Sequence, residues 1–315
     1  CTPFLIIMKY LKVIRYQNLI LLALMQLILR FGFLNEQNCD LALTNFQYIL
    51  LVVATLLIAA GGYVINDIFD QDTDAINKPE KVIIGKSIKE SEAYNLYAGL
   101  TITGVCIGFY LSNVIDKPNF AAFFILIAAS LYFYATTLKQ MLVIGNLIVA
   151  LILASSVIII GVFDIFPVTN AENQRQMGQI FSILMDYAAF AFLLHLIREM
   201  VKDLEDIEGD YHQGMGTLAI RLGISKTTKV VALLSLLPIG LSLNYMYNYF
   251  VLNDLQLITI YSLIFIIAPF LYCTIKITTA KTKTEFHHIS TVLKWIVFFG
   301  IFILPILNHN IQQNA

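Results

Sequence analysis

An all-α, polytopic integral membrane protein with nine transmembrane helices is the fold class this sequence predicts, and three observations predict it. Of the 315 residues, 58% are hydrophobic and 13% charged, with a mean hydropathy of +0.77, where soluble domains run at about 45–50% apolar and about 25% charged. Nine apolar runs each reach the roughly 20 residues a helix needs to cross about 30 Å of hydrocarbon. Lys and Arg gather on the loops of one side.

The runs cover residues 15–34, 45–66, 91–113, 118–137, 142–164, 178–200, 226–248, 255–276 and 287–308. No segment between them is long enough to fold as a soluble domain, so residues 1–315 read as a single transmembrane domain. Threading the runs back and forth puts Lys9, Lys12 and Arg15 on one side, before the first run. The same side takes Lys78, Lys81, Lys86 and Lys89 after the second, Lys139 after the fourth, and Arg198, Lys202, Arg221, Lys226 and Lys229 around the sixth and seventh. It also takes Lys276, Lys281 and Lys283 before the ninth. The other side holds Arg30, Lys117 and Arg175, and Lys294 is left inside the ninth run. By the positive-inside rule the first side is cytoplasmic. A multi-pass protein of the cell inner membrane is expected, with its N-terminus inside and its C-terminus outside.

The net charge of −1 offers no basic stripe and so no nucleic-acid partner. Cys1, Cys39, Cys106 and Cys273 form no CxxC or His pairing and read as ordinary packing residues. Met8, ahead of the basic KYLKVIR, is the expected start.

Two acidic stretches carry the chemistry. NDIFDQDTDAINKP (66–79) follows the second run, and REMVKDLEDIEGD (198–210) follows the sixth. Asp67, Asp70 and Asp74 are spaced i, i+3, i+7, and Asp203, Asp206 and Asp210 repeat that spacing 136 residues later. On a continuous helix each set would share one face. Asp72 falls off that face and is expected to be solvated. Two carboxylates about 6 Å apart repel by roughly 3 kcal/mol at an effective dielectric near 20. Counter-charge is therefore needed. A hard divalent cation suits it: Mg²⁺ takes carboxylate oxygen and completes its octahedron with substrate phosphate oxygens. The two stretches look like halves of a metal-diphosphate clamp. The alternative, acidic loops that merely solvate a membrane face, does not account for the repeated spacing, side and span context.

These residues resemble the UbiA-type intramembrane prenyltransferase superfamily. Asn66, Asp67, Asp70 and Asp74 fill its first motif, N-D-x-x-D-x-x-x-D. Asp206 and Asp210 fill its second, D-x-x-x-D, with Asp203 one turn upstream. RYQN (Arg15, Asn18), YATTLK (Tyr134, Lys139) and GTLAIRLG add weaker matches. NKPEKVIIGK departs from the family's N-R-P-x-R-P: Lys78 and Lys81 keep the charge but lose the bidentate fork of Arg.

The resemblance implies nine helices around a central cavity and transfer of an isoprenyl group from a prenyl diphosphate donor to a lipophilic acceptor among the membrane lipids. It makes Asn66, Asp67, Asp70, Asp74, Asp203, Asp206 and Asp210 the candidate catalytic residues. Asn66, Asp70, Asp74, Asp206 and Asp210 would hold Mg²⁺, and Asn18, Lys78, Lys81, Tyr134, Lys139, Arg198 and Lys202 would bind substrate. Tyr63, Tyr97, Tyr132 and Tyr134 lie near cytoplasmic helix ends, where a ring could face an allylic cation or simply sit in the interfacial belt. Asp186 lies deep in the sixth run, either functional or a hydrogen-bonded wall residue. His195 and Arg198 lie on the approach to the second motif, where Arg198 could hold an acceptor phosphate or simply anchor the helix at the headgroups; His287 and His288 receive no role. Within the family the motifs look closest to geranylgeranylglycerol-phosphate geranylgeranyltransferases, whose acceptor is geranylgeranylglyceryl phosphate. An aromatic quinone precursor, chlorophyll or haem is the alternative acceptor. A cation-coupled transporter is the rival class, and it would place its ion sites at the midplane.

Overall fold

The computed structural model describes residues 3–80 and 82–314, with side chains from Ile7 onward, so Cys1 and the candidate Lys81 lie outside the described residues. The helices in chain order are α1 (Pro3–Val13), α2 (Tyr16–Gln37), α3 (Asn45–Phe69), α4 (Gln71–Asn77), α5 (Glu90–Val114), α6 (Pro118–Thr136) and α7 (Ile144–Val168). They continue as α8 (Gln174–Glu205), α9 (Ile207–His212), α10 (Leu218–Leu222), α11 (Ile224–Asn253), α12 (Gln256–Thr279) and α13 (Lys283–Asn314).

Among the described residues nine of these are long and apolar enough to cross a membrane, and they coincide with the nine apolar runs. Inside hydrocarbon every backbone N–H and C=O must be satisfied within the segment, which is why apolar runs of this length fold as helices. α8 and α13 extend past their runs because end residues such as Gln174 and His309 continue the helix after hydropathy has fallen. The remaining short helices lie between spans or before them. Apart from an isolated bridge between Ile84 and Ile88, no strand forms among the described residues.

One apolar core, around Tyr48, Phe124 and Phe163, fills the end of the bundle away from the two acidic motifs. A second, around Val201, Ile277 and Leu293, joins α8, α12 and α13 nearer the motifs. Close helix approach is set by small residues, as expected where lipid removes most of the apolar drive for association. A Cβ on Gly104 of α5 would lie 2.7 Å from Ile58 Cγ1 and 3.0 Å from the Ala54 carbonyl oxygen of α3.

Charge counting places Arg30, near the end of the first run, with the charges of the outer side. The structure buries it in α2, where its Nε lies 3.2 Å from Asp164 Oδ2 and its guanidinium donates to the Leu43 carbonyl at 2.8 Å. Asp164 also accepts the Leu43 N–H at 3.0 Å. Each member of the pair sits on a π-helical turn, Leu29–Phe33 or Gly161–Ile165. Pairing is what lets two charges stay out of water. With Arg30 buried and paired rather than free at the surface, the bias of exposed Lys and Arg toward the motif-bearing end is sharper than the sequence count.

At the junction of α1 and α2, Arg15 takes a left-handed φ of 52°. That conformation costs a non-glycine residue about 1–3 kcal/mol. It is offset at this position because the guanidinium donates to Asp67 Oδ1 at 2.7 Å and lies 5.0 Å over the Tyr63 ring.

Candidate active site

The acidic stretches do not continue α3 and α8 as straight helices. α3 stops at Phe69 and α8 at Glu205, and the next residue in each case leaves helical geometry: Asp70 at φ −96°, ψ 4° and Asp206 at φ −101°, ψ 9°. These two kinks fall at equivalent positions of the repeat. Beyond them the chain turns into the short α4 and α9, and the carboxylates of each motif stay within electrostatic reach of one another across the kink.

The two motif ends meet through Asn77, which the sequence reading passed over as the residue before Lys78. Its Nδ2 donates to the Asp206 carbonyl at 2.9 Å, and its Oδ1 accepts the Gly209 N–H at 2.9 Å. Gly209 leaves the space: a Cβ there would come within 2.6 Å of Asn77 Cγ. Lys283, at the start of α13, donates to the Asn77 carbonyl at 2.6 Å.

Counter-charge is supplied by side chains of the chain itself. Lys139 pairs with Asp70, which also accepts from Asn66 Nδ2. Lys78 pairs with Asp206 at 2.6 Å and Arg15 with Asp67 at 2.7 Å. Asp203 is turned aside to accept from Asn146 Nδ2 at 2.9 Å. Burial alone would lower the Lys78 ammonium, but Asp206 more than offsets it and holds the group above its ordinary value.

Among the described residues Asp74 and Asp210 have no such partner. Burial first, then the charges of Asp70 and Asp67, push Asp74 up to about 6. Burial and the charges of Asp206 and Asp70 push Asp210 up to about 7. Asp70 of the first motif thus acts on Asp210 of the second: the two motifs share one electrostatic site. Asp72 is exposed, as its place off the face implied.

Among the described residues no three His, Cys, Asp or Glu side chains stand close enough to hold a metal as they are placed. The donor set nevertheless fits a hard dication. Asp70, Asp74, Asp206, Asp210 and the amide oxygen of Asn66 are all oxygen ligands, and Asp206 Oδ1 is buried with no hydrogen-bond partner among the described residues.

The other candidates fall into two groups. Tyr63 and Tyr134 line the site: Tyr63 lies beneath Arg15, and Tyr134 lies within electrostatic reach of Asp70 and Asp203, while Asn18 accepts from Lys294 at 3.1 Å. Arg198 and Lys202 meet over the buried Glu199, at 3.5 and 2.6 Å. Glu199 was missed in the sequence, where it is one more acidic residue among REMVKD. Tyr97 and Tyr132 stand apart, stacked on each other at 6.4 Å. Asp186 and His195 line an apolar cavity deeper in the bundle. His287 pairs with Glu205 at 3.0 Å, and His288 with Tyr272 at 2.9 Å.

The family model described as "UbiA prenyltransferase family" matches residues 31–303. A digeranylgeranylglyceryl phosphate synthase of Sulfurisphaera tokodaii is 37% identical over 58% of this chain, and the match spans 59% of that relative's length. A synthase of the same name from Sulfolobus acidocaldarius is 34% identical over 78% of this chain and 82% of its own. Among solved structures, one reported for digeranylgeranylglyceryl phosphate synthase in membranes superposes with a TM-score of 0.62 at 28% identity, covering 96% of this chain and 98% of that one. A UbiA homolog from Archaeoglobus fulgidus, bound to DMAPP and Mg²⁺, superposes at 0.58 over 94% of this chain and 99% of that one; at 15% identity it speaks to the fold.

Proposed function

The chain belongs to the UbiA prenyltransferase family, and from that premise we propose that it transfers an isoprenyl group from a prenyl diphosphate to a lipophilic acceptor in the membrane. The proposed acceptor is geranylgeranylglyceryl phosphate and the proposed donor is its geranylgeranyl diphosphate counterpart. The observation that carries the reading is the meeting of two kinked aspartate ends through Asn77, with a buried carboxylate oxygen of Asp206 between them that has no hydrogen-bond partner among the described residues.

Asn66, Asp70, Asp74, Asp206 and Asp210 would hold Mg²⁺, which when bound neutralises charge developing on the leaving diphosphate. Lys78 and Lys139, already beside Asp206 and Asp70, bind the diphosphate oxygens as point charges. Arg15 and Asp67 hold Tyr63 against the site, and Tyr63 and Tyr134 offer ring faces to the allylic carbon as positive charge grows there. Apolar helix walls exclude water until the acceptor hydroxyl attacks. The acceptor C–O bond then forms at C1 of the donor, the C1–diphosphate bond breaks, and the hydroxyl proton leaves. Nothing in the reading calls for nucleic acid.

The Lys and Arg excess at the motif-bearing end supports a cytoplasmic N-terminus and active site in the cell inner membrane. The purified chain, given a mixture of prenyl diphosphates, geranylgeranylglyceryl phosphate, aromatic quinone precursors and Mg²⁺, should yield a product with the mass of the diether lipid phosphate. A prenylated aromatic product would replace the acceptor, and no diphosphate release from any donor would reject the transferase reading.

A further inference from the structure

Lys294 lies in α13, eleven residues past Lys283, or about 16 Å along the helix axis. An ammonium at such depth is costly unless something anionic meets it. Among the described residues its polar partner is the amide oxygen of Asn18, at 3.1 Å, which carries no charge. One turn back on α13, the Ser290 carbonyl accepts from Arg198 Nε at 3.4 Å, which brings Arg198 to the face that carries Lys294. Lys202 follows Arg198 by one turn of α8.

Arg198 and Lys202 share a single carboxylate, Glu199, while Arg15 nearby is matched by Asp67. Asp203, turned to Asn146, also lies within electrostatic reach of Lys202, so three cations stand against two carboxylates and, among the described residues, at least one positive charge of the cluster is unmatched. A phosphate monoester supplies about −1.5 to −2 at neutral pH, with three strong acceptor oxygens. That charge is enough to match it.

Next to this cluster, deeper in the bundle, opens an apolar cavity of about 140 Å³ between α8, α11, α12 and α13. It starts at His195, one turn from Arg198, and at Ile296, two residues from Lys294, and reaches Phe270 and Leu304. Among the described residues His195 Nδ1, close to that mouth, is buried without a hydrogen-bond partner, as is Ser262 Oγ in the same lining. Cations at the mouth and mainly apolar walls beyond, with Asp186 among them, match an amphiphile with an anionic head and a hydrocarbon chain whose first carbons enter the cavity. Glu199 also lies within electrostatic reach of Tyr63 and Tyr134, so the head would sit beside the donor site.

We propose that Arg198, Lys202 and Lys294 bind the phosphate monoester head of the acceptor lipid, with its hydrocarbon chain entering the cavity between α8 and α13. The assignment rests on the prenyl-transfer reading above and adds where, and by what charge, the acceptor is chosen. Donor diphosphate is the competing ligand for these cations, and the test separates the two.

Full-length protein in nanodiscs carries Lys294→Met, with Lys294→Arg as the charge-retaining variant and Arg198→Gln as an independent one. Initial rates are measured against geranylgeranylglyceryl phosphate, against the same lipid without its phosphate, and against the prenyl diphosphate. Loss of a charged hydrogen bond predicts a rise of about tenfold or more in acceptor KM for Lys294→Met and Arg198→Gln, with donor KM within about twofold. Lys294→Arg restores most of the loss, and KM for the dephosphorylated lipid does not move. An unchanged acceptor KM, a rise in donor KM instead, or an equal rise with the dephosphorylated lipid overturns the site and leaves the prenyl-transfer reading intact. A wild-type chain that forms product only with uncharged acceptors overturns both the acceptor reading and the site.

Discussion

Replacing Gly209 by Ala adds one methyl group to the contact that joins the two motifs, and its effect can be worked from the structure. The new Cβ would stand 2.6 Å from Asn77 Cγ, so Asn77 must shift, and with it the 2.9 Å bonds to the Gly209 N–H and the Asp206 carbonyl. Overpacking costs about 1–3 kcal/mol and a lost hydrogen bond about 1 kcal/mol. Alanine regains about 1 kcal/mol over glycine inside a helix. The single variant should therefore lose about 2 kcal/mol, and Asn77→Ala, which strands the Gly209 N–H and leaves the Asp206 carbonyl with the Asp210 N–H alone, about as much. Once Asn77 is alanine, the methyl at 209 has nothing to strike. The double variant should then be more stable than either single one, with a coupling of about 3 kcal/mol. Denaturant or thermal unfolding of the four proteins in detergent measures this cycle. Additive losses would refute the argument that Asn77 and Gly209 form one contact between the motifs.

Two further outcomes follow from charges. Asp74 and Asp210 are raised in the folded chain to about 6 and about 7, above the roughly 3.9 of an unfolded Asp. The folded state is thus favoured while they hold their protons, and metal-free stability should fall as pH rises from about 4 through 7, then level off. A melting temperature that climbs over that interval would contradict it, and added Mg²⁺ should raise the melting temperature more at pH 8 than at pH 5.5. At the far end of the bundle, Asp164→Ala strands Arg30 as a buried unpaired charge and should cost about 3–5 kcal/mol. Arg30→Met with Asp164→Leu should cost less; a double variant as unstable as Asp164→Ala would show that the pair matters for something other than charge.

Long apolar runs are legible because hydrocarbon leaves the backbone no alternative to helix, and all nine spans lie where hydropathy puts them. The acidic spacing of i, i+3, i+7 is equally legible, but it is compatible with a straight helix. Neither Asp70 nor Asp206 has a Pro or Gly beside it to announce a kink. Asn77 carries no charge and sits just before Lys78-Pro79, so it reads as an ordinary turn residue; its role appears once Gly209 is brought alongside. Arg30, counted among the outer charges, is legible in position but not in burial: a hydropathy profile cannot tell a free charge at a helix end from one buried against a partner 134 residues away. The need for counter-charge was sound, yet electrostatics alone did not say that Lys78, Lys139 and Arg15 would supply it before any metal does.

The most direct test of the shared site is the Mg²⁺-dependent binding of a non-hydrolysable prenyl thiolodiphosphate, measured calorimetrically for wild type, Asp70→Asn, Asp206→Asn and the double variant. One site built from both motifs predicts that either substitution alone removes most of the Mg²⁺-dependent affinity and that the second adds little. Independent, additive losses, or binding that survives both substitutions, would mean that the two aspartate ends do not act on one diphosphate.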